Sequence, residues 1–120
     1  MALYPMAIDY AQINRSRVMQ KFLEDKREEI AELCRTHHVR RLAVFGSAVR
    51  DDFDPERSDV DFLVEFGPIE ICHYFRNKLA LIEALEMLCG RHVDLIVAKW
   101  VKNEYLKREI AATEELLYAA

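Results

Sequence analysis

Hydrophobic and polar residues alternate with a period of two in two segments of the chain, and a third segment is a short apolar run with strand composition. Residues 59–66 and 92–98 place apolar side chains at every second position, whereas residues 40–46 contain an apolar run that stops at Gly46. Such alternation is typical of β-strands that bury one face. The sequence therefore predicts three strands, of which the first ends at Gly46.

Helical periodicity fills most of the remaining chain. Residues 16–37 carry an apolar stripe, and residues 72–88 form a second helix that is predicted to end at Gly90. A last helix is predicted to start near Lys102 or Asn103. The second helix is apolar over so much of its surface that it must be buried on more than one side or cover a partner.

The order helix, strand, strand, helix, strand, helix predicts an α/β fold. The 120 residues are expected to form a single domain, with residues 1–13 as an N-terminal arm. A chain of this length buries roughly two-thirds of its unfolded surface without disulfides or a structural metal. Hydrophobic and charged contents of 52% and 32% are ordinary for such a domain.

The net charge and the hydropathy of the chain argue against two classes of function, nucleic-acid binding and membrane insertion. The formal net charge of −4 argues against non-specific binding of nucleic acid, which needs a basic surface. No apolar stretch is long enough to span a bilayer, and the N-terminus lacks the pattern of a signal peptide. We therefore expect a cytoplasmic protein that contacts neither membrane nor nucleic acid directly.

The turn after the first strand has the features of a phosphate site. Gly46 allows a sharp turn or a close approach of ligand to backbone. If Ser47 opens a short helix, its hydroxyl and the following backbone N–H groups would bind an anion. Arg50, one turn later, would point the same way.

The second strand carries two carboxylates on one face. Asp59 and Asp61 lie roughly 6 to 7 Å apart by strand rise, and two such charges repel by about 2 to 3 kcal/mol at an effective dielectric near 20. A cation removes this repulsion. Asp94, on the third strand, is expected to converge on the same edge, and such a set of hard oxygen ligands suits Mg²⁺ better than Ca²⁺ or zinc.

With this Gly-Ser turn, D-x-D pair and third acid, the chain resembles the minimal nucleotidyltransferases of the DNA polymerase beta-like superfamily. The resemblance implies a small mixed β-sheet flanked by helices, the polymerase beta-like fold. It implies nucleotide binding by Gly46, Ser47 and Arg50. It also gives Asp59, Asp61 and Asp94 the catalytic and metal-binding roles.

The reaction that this resemblance implies is nucleotidyl transfer from ATP with two Mg²⁺ ions. One ion, held by Asp59, Asp61 and Asp94, would lower the pKa of the acceptor hydroxyl. A second, held by Asp59 and Asp61 with the phosphates, would stabilise the leaving pyrophosphate.

Two features depart from the family pattern. Family members usually have ten residues between the serine and the first aspartate, whereas Ala48–Ser58 comprises 11 residues. The glycine that often follows the arginine is replaced by Asp51. Both departures leave the metal ligands in place. They change the loop 51–58, and therefore its contacts with the nucleotide and the choice of base.

The acceptor is expected to come from another chain, because no sugar-, antibiotic- or primer-binding domain is recognisable in the sequence. Members of this size resemble the antitoxin half of two-protein modules. Their partner is an all-helical HEPN toxin that receives AMP on a tyrosine, within a hetero-oligomer. Two alternatives stay open: a small-molecule nucleotidyltransferase related to aminoglycoside-modifying enzymes, and a non-catalytic module that binds nucleotide or masks the toxin.

Overall fold

A computed structural model describes residues 21–49 and 59–120. The predicted N-terminal arm, Arg50 and the loop 51–58 lie outside these ranges. The described part contains four helices and four strands, with 3-10 turns at Gly46–Val49 and Ala98–Trp100. In chain order the elements are α1 (Lys21–Asp25), α2 (Arg27–Thr36), β1 (Val39–Phe45), β2 (Val60–Phe66), α3 (Ile71–Cys89), β3 (Val93–Val97), α4 (Glu104–Thr113) and β4 (Glu115–Ala119).

The four strands form one mixed sheet in the order β3-β2-β1-β4. Strand β1 pairs antiparallel with β2 and β4, whereas β2 and β3 are parallel and joined by the crossover helix α3. The predicted small mixed sheet with flanking helices is therefore confirmed. The parallel pairing matters for function, because it brings the N-terminal ends of β2 and β3 to the same edge.

One side of the sheet packs on α1, α2 and α3. Inward-facing positions of β2 and β3 alternate as predicted, and Phe62 is fully buried at the centre of this core. Helices α2 and α3 each contribute a row of buried apolar side chains, and α1 contributes Leu23. The members of this core include Leu23, Ile30, Cys34, Val60, Phe62, Val64, Leu81, Leu85, Val93, Leu95 and Val97.

The other side of the sheet is covered by α4 through a smaller core of Phe45, Leu63 and Ile110. Helix α4 begins where Asn103 caps it, since the Asn103 side chain accepts a hydrogen bond of 3.0 Å from the backbone N–H of Leu106. The predicted start of the last helix is thus confirmed. Because α4 lies over the face that carries Asp61, it forms one wall of the site.

Two predictions of secondary structure were wrong. Residues 16–20 of the first predicted helix, 16–37, lie outside the described ranges. Its described part is interrupted at Lys26, whose N–H donates to the carbonyl of Leu23, three residues back, instead of continuing the α-helical pattern. The strand β4 was missed altogether. It follows α4 directly and completes the sheet beside β1. Helix α3 ends as expected at Gly90, whose φ of 69° is the left-handed C-cap conformation.

Among the helices that the structure describes, none combines the length and the apolar character required to cross a bilayer.

Candidate active site

Asp61 and Asp94 lie side by side at the paired edge of β2 and β3. They are direct partners in the parallel register, so their side chains emerge next to each other on the α4 side of the sheet. Asp59 lies one residue before β2 and is exposed. The structure thus brings together the three carboxylates that the sequence singled out.

The crowding of these carboxylates changes the acidity of Asp61. Burial, the charge of Asp94, a hydrogen bond to Asp94, and the charges of Asp59 and Glu109 together raise the pKa of Asp61 from 3.8 to about 6. The same negative surroundings that make ionisation unfavourable attract a cation. A divalent ion would replace the proton and cancel the repulsion.

His92 is a member of this group that the sequence reasoning missed. Its Nδ1 lies 3.3 Å from Oδ2 of Asp59 and 3.9 Å from Oδ1 of Asp94. His92 lies two residues before Asp94, so the alternation of side chains along an extended segment places both on the same face. This was the signal that could have identified it.

The Gly46–Val49 turn lies against the same acids. Gly46 has a φ of 75°, and its N–H donates a hydrogen bond of 2.9 Å to Oγ1 of Thr113 in the last turn of α4. A β-carbon at residue 46 would lie 2.9 Å from Oδ2 of Asp61 and 3.9 Å from Oε2 of Glu109. The carboxyl of Asp61 thus fills the place that a side chain at residue 46 would need, and the backbone of the turn lies directly against the acids.

Ser47 is half-buried in this turn. Its hydroxyl donates a long hydrogen bond of 3.4 Å to the backbone carbonyl of Asp59. Pairwise contacts thus connect Gly46 with Asp61, Ser47 with Asp59, and Asp61 with Asp94. Arg50 cannot be placed among them, because it lies outside the described residues.

The donors suit a divalent cation. Possible ligand atoms of Asp59, His92 and Asp94 all lie within 4.8 Å of one another, and the carboxyl of Asp61 is next to that of Asp94. Oxygen donors predominate and one side of the group is open to solvent, as a site shared with substrate phosphates requires. The residues present therefore fit a divalent metal.

A separate cleft of about 600 Å³ lies at the opposite end of β2 and β3. Its walls include Phe66, Tyr74 and Trp100, whose rings meet edge to face. Ile71 lines the same cleft. None of the predicted catalytic residues contributes to it.

Helix α3 exposes a row of apolar side chains that continues from this cleft. Ile71, Phe75 and Leu79 follow each other at intervals of four residues and therefore lie on one side of the helix; they are 88%, 72% and 56% exposed. We call these three residues the α3 stripe. Of the two predicted explanations for the apolar helix, burial on several sides is thus wrong for this face.

A mixed sheet with a Gly-Ser turn and strand-borne aspartates at one edge defines the nucleotidyltransferase class. Comparison with protein families agrees, since the nucleotidyltransferase domain model matches residues 26–118. The chain belongs to this family.

Two relatives from Methanocaldococcus jannaschii carry names that state an activity. "Putative protein adenylyltransferase MJ1379" is 39% identical over 98 residues, which cover 75% of this chain and 94% of the relative. "Putative protein adenylyltransferase MJ0128" is 36% identical, with the same coverage of both chains.

Solved structures show the same fold. The structure titled as a putative minimal nucleotidyltransferase has a TM-score of 0.65 and 29% identity, covering 83% of this chain and 97% of the other. A chain from the complex of a tri-AMPylated Shewanella oneidensis HEPN toxin with an MNT antitoxin has a TM-score of 0.55. It is 17% identical and covers 81% and 72% of the two chains. At this identity the similarity establishes the fold.

Proposed function

We propose that the protein is an antitoxin that transfers AMP from ATP to a tyrosine hydroxyl of a helical HEPN-type toxin. The observation that carries the proposal is the convergence of Asp59, Asp61 and Asp94 beside the Gly46–Ser47 turn. The names of the M. jannaschii relatives support the choice of a protein as acceptor.

In the proposed reaction, the tyrosine oxygen attacks the α-phosphorus of ATP. A bond forms between this oxygen and phosphorus, the bond to the β-phosphate oxygen breaks, pyrophosphate leaves, and the phenolic proton passes to solvent or to a site carboxylate. Asp59, Asp61 and Asp94 would hold two Mg²⁺ ions. When bound, Mg²⁺ supplies charge neutralisation at the phosphates and a lower pKa at the attacking hydroxyl.

The turn contributes the phosphate site. With no β-carbon at Gly46, the backbone of the turn lies against the carboxyl of Asp61, so that phosphates bound by the turn would lie beside the metal ligands. Ser47 can exchange its long hydrogen bond to the Asp59 carbonyl for one to a phosphate oxygen, which is the stronger bond because the acceptor is charged. Arg50 is assigned to the same phosphates.

The α3 stripe is the surface that we assign to the toxin. Soluble monomers rarely expose contiguous apolar patches, and larger ones mark interaction sites. The complex of HEPN toxin with MNT antitoxin among the similar folds supports a helical protein as the occupant. The proposed assembly is a hetero-oligomer of this protein and the toxin. In it, residues 1–120 act as a single domain, and no membrane takes part.

A labelling experiment tests the proposal. The purified protein and the toxin encoded beside it are incubated with Mg²⁺ and ATP labelled at the α or the γ position, and both chains are weighed by mass spectrometry. Transfer of AMP puts α-label into the toxin and no γ-label. Entry of γ-label would indicate a kinase.

The same assay separates the alternatives. Modification of an aminoglycoside by the isolated chain, without affinity for the toxin, would establish the small-molecule enzyme. A stable complex with the toxin that gains no label from either ATP would establish a non-catalytic masking module.

A further inference from the structure

His92 occupies a position from which it can contact a bound cation directly. Its Nδ1 lies 3.3 Å from Oδ2 of Asp59 and 3.9 Å from Oδ1 of Asp94. The three side chains come from the two adjacent N-terminal ends of β2 and β3, and all three are exposed to solvent. An ion can therefore enter without displacing any part of the core.

These separations match those of ligands around a six-coordinate ion. With metal–ligand bonds of about 2.1 Å, neighbouring ligand atoms lie about 3 Å apart and opposite ones about 4.2 Å apart. The distances of 3.3 and 3.9 Å from Nδ1 of His92 each lie about 0.3 Å from one of these two values. No large side-chain movement is required for the imidazole to bind.

We propose that Nδ1 of His92 is a ligand of the metal held by Asp59 and Asp94, and that this nitrogen makes the site bind Mn²⁺ in preference to Mg²⁺. The inference rests on the proposed function and concerns the choice of ion. Mg²⁺ and Mn²⁺ both prefer oxygen ligands, but Mg²⁺ is the harder ion and the poorer partner for an imidazole nitrogen, which is a ligand of transition metals. Mn²⁺ accepts both kinds of donor and keeps positions for phosphate oxygens.

The opposing interpretation is that His92 is only a cationic neighbour of the two carboxylates. In that role it would compete with a metal ion, and its removal would strengthen the binding of every divalent cation. The two interpretations therefore predict opposite signs for the effect of His92→Asn on Mn²⁺ affinity.

Pulsed electron paramagnetic resonance of the Mn²⁺-loaded full chain distinguishes them. A directly bound imidazole couples its ¹⁴N nucleus to the electron spin of Mn²⁺, so the wild-type protein is expected to show ¹⁴N modulation and His92→Asn to lack it. Calorimetric titration is expected to show Mn²⁺ affinity falling by about tenfold or more in this variant, with a much smaller change for Mg²⁺.

His73→Asn is the matched control, because Glu70, Cys72 and His73 form a second exposed group of possible ligands. This variant is expected to keep the ¹⁴N signal. Absence of the signal from wild-type protein, its loss in His73→Asn alone, or stronger Mn²⁺ binding by His92→Asn would each overturn the inference.

AMP transfer to the toxin is measured on the same proteins with Mn²⁺ and, separately, with Mg²⁺, so that the two hypotheses fail separately. Transfer without ¹⁴N coupling rejects the His92 ligand and leaves the proposed function intact. Coupling without transfer to the toxin supports the ligand and counts against the proposed function.

Discussion

Gly46 and Asp61 fit together only because residue 46 has no side chain. An added β-carbon would lie 2.9 Å from Oδ2 of Asp61, closer than such carbons approach oxygen in folded proteins. The position of the Asp61 carboxyl on β2 thus depends on the absence of a side chain in the turn after β1. Any residue other than glycine must displace the carboxyl that pairs with Asp94.

Gly46→Ala is expected to lose AMP transfer and to destabilise the fold by about 1 to 2 kcal/mol, the cost of a left-handed conformation for a residue with a β-carbon. Gly90→Ala is the matched control: Gly90 has a similar φ of 69°, but a β-carbon there would meet nothing within 4 Å. Urea denaturation and the labelling assay measure both effects. Equal transfer by the two variants would show that the Asp61 contact is unimportant.

Asp59→Asn and Asp61→Asn are each expected to abolish transfer while leaving the fold intact. The amide keeps the shape of the carboxyl but lacks the charge that holds the metal. Initial rates with α-labelled ATP and far-ultraviolet circular dichroism provide the measurement. Normal turnover by either purified variant would reject the metal-binding role of that residue.

The raised pKa of Asp61 predicts an unusual dependence of stability on pH. The folded protein holds this proton up to about pH 6, whereas the unfolded chain releases it near 3.8. Between these values the folded state binds more protons, so the contribution of Asp61 to the free energy of unfolding falls as pH rises from about 4 to 6. Above that window Asp61 destabilises the metal-free fold.

Asp61→Asn is therefore expected to raise the urea midpoint at pH 7 and to change it little at pH 3.5. Glu83→Gln, at an exposed position of α3, serves as the control and should show no such dependence. Saturating Mg²⁺ should remove most of the advantage of Asp61→Asn, since the ion stabilises the wild-type carboxylates. A lower midpoint for Asp61→Asn at pH 7 without metal would contradict the electrostatic account.

Ser47→Ala is expected to weaken nucleotide binding less than loss of an aspartate impairs transfer. One hydrogen bond to charged phosphate contributes about 1.5 to 3 kcal/mol, which corresponds to an affinity about 10 to 100 times lower. Backbone N–H donors of the turn remain. Titration with a non-hydrolysable ATP analogue measures the affinity, and an unchanged value together with an unchanged rate would exclude Ser47 from the phosphate site.

The strands that carry the chemistry were predictable because they alternate so regularly. The bounds of β2 and β3 differ from the predicted ones by a single residue at each shifted end. Strand β4 was not predictable in the same way. It follows α4 with no glycine or proline to mark the boundary, and its position is set by pairing with β1.

The residues of the candidate site also fall into a group that the sequence predicts and a group that it does not. Asp59, Asp61, Asp94 and also His92 can be placed by alternation along their own strands. Glu109 and Thr113 cannot, because their approach to Gly46 depends on how α4 docks against the sheet. Contacts between elements distant in sequence leave no periodic signal in either one.

The last prediction concerns the α3 stripe. Phe75→Glu and Leu79→Glu are each expected to weaken the complex with the helical toxin by about tenfold or more, because a charge replaces an apolar contact at the proposed interface. Both side chains are exposed, so the fold should tolerate them. Met87 provides the control: it is 86% exposed on the same helix but lies about 120° around the axis from Phe75.

Met87→Glu should therefore bind the toxin as the wild type does. Analytical ultracentrifugation or calorimetry of each variant with purified toxin measures the affinities, and circular dichroism verifies the fold. Each variant should also show ATP affinity equal to that of wild type, since the stripe lies on helix α3 whereas the Gly46–Ser47 turn follows β1 beside the aspartates. Full affinity in Phe75→Glu and Leu79→Glu, or an equal loss in Met87→Glu, would place the toxin on another surface.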